Sequence, residues 1–251
     1  MALAIKRYPD VYYIEPAAVS KDHNATVDGV HPNNYGYTLW AESILANQEN
    51  QQAGFEAQMR SVILLKNHGG VLPLSPDKKI FVAKNGKALS DELLDNYFPC
   101  RTDKIEDADA AIAFIEWPHT GRGTNGPISL QYGDYTRDGK TVHASNIRDM
   151  EMVQKLRKSL GKKPLIVAVR AETPMVLSEV EPYADAILME ARITRQAVLE
   201  VLSGRHPPGG RLPFQLPASM LTVENQKEDT PFDMECYRDS DGNVYNFGFG
   251  L

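Results

Sequence analysis

The chain alternates between two hydrophobic rhythms. Four short runs, Ile80-Phe-Val-Ala83, Ala110-Ala-Ile-Ala-Phe-Ile115, Leu165-Ile-Val-Ala-Val169 and Ala186-Ile-Leu-Met189, are apolar throughout. Such runs fit strands buried on both faces, as in a parallel sheet. Between them lie segments with helical spacing. Asn146 to Leu160 puts Ile147, Met150, Val153, Leu156 and Leu160 on one face, with Asn146 placed to cap the start and Gly161 to end it. Thr173-Pro174 predicts the N-cap and first position of a short helix stopping near Pro182. Thr194 opens a helix carrying Ala197, Val198, Val201 and Leu202, closed by Gly204. The alternation predicts an α/β fold, a mainly parallel sheet sandwiched by helices.

The two ends read differently. Residues 1–47 contain a strand-like Val11-Tyr-Tyr-Ile14 and a helix expected from about Asn34 to Ala46. Residues 48–60 are polar and helix-favouring and lead into the apolar Ser61–Leu65. From Val223 to Leu251 the chain is polar and rich in turn residues. There Asp239-Ser-Asp-Gly-Asn243 predicts a hairpin turn between Cys236-Tyr237 and Val244-Tyr245. The expected organisation is an N-terminal extension over 1–47 and an α/β domain over 48–251.

Length narrows the options. A (β/α)8 barrel alone takes about 250 residues, so 251 residues cannot hold both a full barrel and the α/β unit. A net charge of −6 argues against a nucleic-acid surface. Cys100 and Cys236 are too few for a disulfide framework or a metal site. No apolar run is long enough to span a membrane. The charges of Lys6 and Arg7 follow a very short apolar patch, the wrong order for a signal peptide. A cytoplasmic product is the expectation, with the periplasm open to a chain whose start is truncated. No cofactor is expected. Gly121-x-Gly-x-x-Gly126 imitates a dinucleotide fingerprint but runs into Pro127-Ile-Ser rather than a helix. Asp239-x-Asp-x-Asn243 imitates half a calcium loop and lacks the glycine and distal acid that complete one.

Ser61-Val-Ile-Leu-Leu-Lys-Asn-His-Gly-Gly-Val-Leu-Pro-Leu74 and Gly209-Gly-Arg-Leu-Pro-Phe-Gln-Leu-Pro217 bracket the strand–helix alternation. With Pro127–Gly133, Leu177–Ile187, Val223–Cys236 and the final Tyr245-Asn-Phe-Gly-Phe-Gly-Leu251, they resemble the C-terminal α/β domain of family 3 glycoside hydrolases, relatives of β-glucosidases and β-xylosidases. The resemblance covers about residues 48–251 and implies a β-glycoside as ligand. Retaining glycosidases need two carboxyl groups about 5 Å apart, a nucleophile and an acid/base. In the enzymes resembled, the nucleophilic aspartate sits in a preceding barrel, and no motif here matches it. The implied partner is therefore a barrel-domain protein, or a second copy of the chain. The family's acid/base glutamate lies in an acidic loop after a strand of the α/β domain. Here that loop would be Glu116 to Gly126, and it has no Glu-Gly-Asp-Arg-like run. Glu116 is the acid left, at a strand's C-terminal end, where α/β sheets place ligand groups. Trp117, His119 and Arg122 share the loop as candidate sugar contacts, through a flat apolar face and planar donors. Packing of the strand exit is an equally direct use of Trp117-Pro118.

A second resemblance concerns Ala25-Thr-Val-Asp-Gly-Val-His-Pro-Asn-Asn-Tyr-Gly-Tyr37, which looks like the last block of SGNH (GDSL-type) hydrolases. Asp28 and His31 match that family's triad acid and base. The triad also needs a serine nucleophile, and no Gly-Asp-Ser motif occurs in the chain. A turn leading into a helix explains the same residues. Three functional readings follow. One is a family 3-like domain contributing to binding and hydrolysis of β-glycosides, incomplete without a barrel. A second is a non-catalytic carbohydrate-binding or interaction module, and a third a residual SGNH-type esterase.

Overall fold

The structure is a computed structural model, and it describes residues 34–84, 89–121, 127–227 and 229–251. The chain divides into two compact units, Met1–Ala57 and Gln58–Leu251. In the first, the strand expected at Val11–Ile14 and the candidate residues Asp28 and His31 lie outside the described residues.

Helix α1 spans Asn34–Ser61. The helix expected to end near Ala46 thus continues through the polar segment 48–60. No proline interrupts it there, and glutamine, glutamate and alanine hold helical backbone at little cost. The second unit is built on a five-stranded sheet. Its strands are β1 (Ile63–Asn67), β2 (Ile80–Lys84), β3 (Ala110–Glu116), β6 (Leu165–Arg170) and β7 (Ala186–Glu190), in the spatial order β1-β7-β6-β3-β2. Strands β2, β3, β6 and β7 are mutually parallel, and β1 closes the edge antiparallel to β7. A two-stranded hairpin, β4 (Tyr135–Arg137) and β5 (Lys140–Val142), sits apart from the sheet.

The apolar runs are buried on both faces, as their composition requires. In β3, Ala111, Ala113 and Ile115 join one core cluster while Ala110, Ile112 and Phe114 join the other. Helix α3 (Arg148–Leu160) covers the first face with Met150, Val153, Leu156 and Leu160. Helices α2 (Asp91–Asp95) and α4 (Arg195–Leu202) cover the second with Leu94, Val198, Leu199 and Leu202. Helix α2, between β2 and β3, thus covers one face and α3, between β3 and β6, the other. The C-terminal ends of the parallel strands are the side of the sheet on which open α/β folds bind ligands.

Two helix expectations are corrected. No helix follows Thr173-Pro174; the stretch before Ala184 holds single 3₁₀ turns at Leu177–Glu179 and Glu181–Tyr183. The core explains this: Met175, Leu177 and Val180 are all fully buried, an inward spacing an α-helix of that length could not satisfy against a flat sheet. Asn146 does not cap α3 with its side chain, because Ile147 occupies the cap position without a side-chain bond. Thr194 does cap α4, its hydroxyl accepting from the N–H of Ala197 at 3.4 Å. A short α5 (Met220–Asn225) follows.

The segment from Gly210 to the C-terminus locks onto the sheet rather than trailing from it. Leu251 N–H donates to Leu64 O at 2.9 Å and Gly210 N–H to Val62 O at 2.9 Å, occupying the outer edge of β1. An exposed strand edge is a template for unwanted pairing, and this cover removes it. The turn predicted at Asp239–Asn243 is present: Asp239 Oδ1 accepts the N–H groups of Asp241 and Asn243 at 3.0 and 2.7 Å. Beneath it, Lys66 and Glu181 form a buried pair at 2.5 Å, with Ser240 and Tyr237 also donating to the Glu181 carboxylate.

Candidate functional site

Glu116 ends β3, with its side chain 41% exposed. His119 folds back so that its Nε2 lies 3.3 Å from Glu116 Oε2. The pair is off hydrogen-bond alignment, and this buried nitrogen has no hydrogen-bond partner among the described residues. The Trp117 ring meets His119 edge-on, with centroids 4.7 Å apart and planes at 70°. Trp117 is half-buried and packs against the core under α3, so it serves the strand exit and the loop together. The structure thus brings Glu116, Trp117 and His119 into one cluster. Arg122 lies outside the described residues, as do Asp28 and His31.

The backbone at Glu116, Trp117 and His119 is tied down by hydrogen bonds. Glu116 N–H donates to Asp149 Oδ2 at 3.0 Å, and its carbonyl accepts from the Tyr132 hydroxyl and, at 3.4 Å, from Asn146 Nδ2. Trp117 N–H donates to Arg170 O at 2.8 Å, and Trp117 O accepts from Asn146 Nδ2 at 3.0 Å. His119 N–H donates to Asn146 Oδ1 at 2.8 Å, and its carbonyl accepts from Ser145 N–H at 3.0 Å. One asparagine side chain therefore holds three of the loop's residues. Burial, then the nearby carboxylates of Asp149, Glu179 and Glu116, push the Tyr132 hydroxyl well above its ordinary range, so it stays a donor. Glu179 fixes Tyr132 in turn, accepting the N–H groups of Tyr132 and Gly133 at 2.6 and 3.0 Å.

These positioning residues were not singled out from the sequence as site residues. Asn146 had a competing use as a helix cap, and Tyr132 and Glu179 stand far from Glu116 in the chain. The signal present was the fragment Ser-Leu-Gln-Tyr-Gly133, unexplained by any periodicity.

The charges beside Glu116 alternate across the sheet. Glu116 is in register with Arg170, and Arg170 with Glu190. Glu190 is 1% exposed and accepts Arg170 Nε at 2.8 Å, Arg195 NH1 at 3.3 Å and Ile193 N–H at 3.0 Å. Desolvation, then the neighbouring Arg170, lowers the Arg195 guanidinium from its ordinary value; its Cζ lies over the Phe114 ring, 4.9 Å from the centroid. Glu190 and Asp149 are both buried and committed to holding other groups, whereas the Glu116 carboxylate is accessible. The described residues hold no cluster of three or more metal-ligating side chains.

Residues 87–251 match the family model described as the glycosyl hydrolase family 3 C-terminal domain. The chain belongs to this family. Beta-glucosidase C of Emericella nidulans is 31% identical over 224 residues, covering 89% of this chain and 33% of the relative. The periplasmic beta-glucosidase/beta-xylosidase of Dickeya chrysanthemi is 26% identical, over 89% of this chain and 31% of its own length. The chain thus spans about a third of the curated relatives it matches. Among solved structures, the beta-glucosidase from Listeria innocua superposes with a TM-score of 0.55 at 17% identity, over 84% of this chain and 34% of that one. That likeness confirms the fold. The SGNH-type resemblance of residues 1–47 gains no support. An alignment taking in 89% of the chain necessarily includes part of that segment, so family 3 likeness extends into it.

Proposed function

We propose that this chain is the sugar-facing α/β part of a family 3 glycosidase acting on β-linked glucosides or xylosides. It binds the glycoside at the C-terminal end of β3, and its Glu116 exchanges a proton with the glycosidic oxygen. The observation that carries this reading is the Glu116–His119 contact on a backbone fixed by hydrogen bonds at Glu116, Trp117 and His119. A proton carrier works when its carboxyl is accessible to the sugar and its attachment is fixed, and Glu116 has an accessible carboxyl on a pinned backbone. His119 Nε2, lacking a hydrogen-bond partner among the described residues, is a nearby site through which a proton can pass to or from Glu116. Trp117 supports His119 from the side, and Arg122 shares the same loop as a donor to sugar hydroxyls.

Hydrolysis with retention needs a second accessible carboxylate about 5 Å from the first. Asp149 and Glu190 are committed to other groups, so the nucleophile comes from a barrel, whether in the same polypeptide or a partner. The relatives, about three times as long, carry β-glucosidase and β-xylosidase names, which supports both the substrate class and the need for a second part. The test compares cellobiose with nitrophenyl β-glucoside, using the chain combined with a family 3 barrel. Glu116→Gln is expected to abolish cellobiose turnover while sparing bond cleavage in the nitrophenyl substrate, whose leaving group needs no proton. Equal activity of Glu116→Gln and the parent on cellobiose would remove Glu116 from the mechanism.

A further inference from the structure

A groove of about 570 Å³ lies between the β4–β5 hairpin and α5, and the glycosidase reading of the Glu116 loop does not use it. Its size falls within the range of roughly 300–1,000 Å³ typical of small-molecule sites. Three features describe what it would hold. The floor is apolar, formed by Leu130, Met220 and Val223 with the ring of Tyr135. The rim carries Arg137 and Lys140 against Asp138 and Glu224, two charges of each sign. Such a rim offers donors and acceptors without a net field, so it selects neither anions nor cations. Finally, the guanidinium of Arg137 is loosely held: Asp138 and Glu224 approach it at 3.8 and 3.9 Å, beyond hydrogen-bond length.

The groove is joined to the candidate site. The segment after His119 reaches Gly121, which packs against Ile128 so closely that a Cβ there would meet Ile128 Cγ1 at 3.0 Å. Ile128 is 72% exposed and lines the groove. Thr120 and Ser129 pair their backbone and hydroxyl groups between the two. An apolar floor under a charge-balanced polar rim matches a pyranose chain, whose rings have apolar faces and whose edges carry neutral hydroxyls.

We propose that this groove is an outer saccharide-binding subsite, taking the distal units of a neutral β-linked oligosaccharide that extends outward from the Glu116 loop. The proposal rests on the reading of the chain as a glycoside-binding domain, but not on Glu116 as the proton carrier. It makes the preferred substrate an oligosaccharide rather than a disaccharide.

Amide spectra of the 251-residue chain, recorded during titration with cellotetraose and with xylotetraose, test it. Shifts are expected at Tyr135, Arg137 and Val223. Ile128→Asp and Arg137→Ala, both at exposed side chains that leave folding intact, are expected to weaken tetrasaccharide binding about tenfold, a difference titration resolves readily. Glu116→Gln is expected to leave the groove shifts in place. Shifts confined to residues 116–119 would overturn the subsite while the proposed function stands. Groove shifts that survive both groove variants with unchanged affinity would also overturn it. If neither tetrasaccharide shifts any resonance, the groove is not a saccharide site, and cellobiose turnover with the supplied barrel then judges Glu116 separately.

Discussion

Asn146 accepts the backbone N–H of His119 at 2.8 Å through its side-chain oxygen, joining the start of α3 to the loop after β3. Its amide nitrogen reaches Trp117 O at 3.0 Å and Asp149 Oδ2 at 3.1 Å. A helix start is rigid because its own ladder and the core beneath fix it. The loop carrying Glu116 borrows that rigidity through one side chain.

Asn146→Ala is therefore expected to destabilise the chain by about 1–3 kcal/mol, since it leaves part-buried backbone groups unpaired. Asn146→Asp keeps the acceptor for His119 but loses the donors and faces Asp149 with a second carboxyl. Hydrogen exchange separates the two. The His119 amide should lose protection in Asn146→Ala and keep it in Asn146→Asp.

The Lys66–Glu181 pair makes the acid side of stability predictable. Burial pushes the Glu181 carboxyl up, but hydrogen bonds from Lys66, Ser240 and Tyr237 together hold it below the usual range. An unfolded glutamate titrates near 4.3. Stability from this group is thus fully present above about that pH and lost as pH falls through the lower folded value. Glu181→Gln should flatten the acid arm of a urea-midpoint profile. Lys66→Met, which leaves the carboxylate buried and unpaired, should cost about 3–5 kcal/mol near neutrality. Its deficit should shrink in acid, where protonation removes the stranded charge.

Tyr97 governs the alkaline side. Burial and its hydrogen bond to Glu200, 2.6 Å long, push the phenol up to about 12. The unfolded value is about 10. The contribution is complete below that pH and disappears as pH rises through the folded value. The stability gap between the parent and Tyr97→Phe should therefore narrow over this interval, and phenolate absorbance should show one late-titrating tyrosine fewer.

Gly210 is where the tail meets the edge strand. A Cβ there would collide with the Ser61 carbonyl and approach Ile63 Cγ1 at 2.8 Å. Gly210→Ala should lift the tail off β1 and cost about 1–3 kcal/mol, the usual penalty of overpacking. Accelerated exchange of the Leu251 amide, whose partner is Leu64 O, would localise the damage. Unchanged exchange and melting would mean that the edge is held by other contacts.

Sequence alone determined the sheet. Ala110–Ile115, Leu165–Val169 and Ala186–Met189 became β3, β6 and β7 because uninterrupted apolar runs must be buried on both faces, whatever surrounds them. Glu116 was also legible, as the acid ending such a strand. Thr173-Pro174 misled, since cap chemistry is local while the burial of Met175, Leu177 and Val180 is imposed by the sheet below them. Only the tertiary structure decided what holds Glu116. Tyr132, Asn146, Asp149 and Glu179 come from separate segments, and no periodicity marks a hydrogen bond across such distances. The groove beside the hairpin was hidden for the same reason: its floor combines Leu130 with Met220 and Val223, which become neighbours only once α5 packs against the loop. Burial preference is written residue by residue, whereas a site is a meeting of segments, and folding alone brings those segments together.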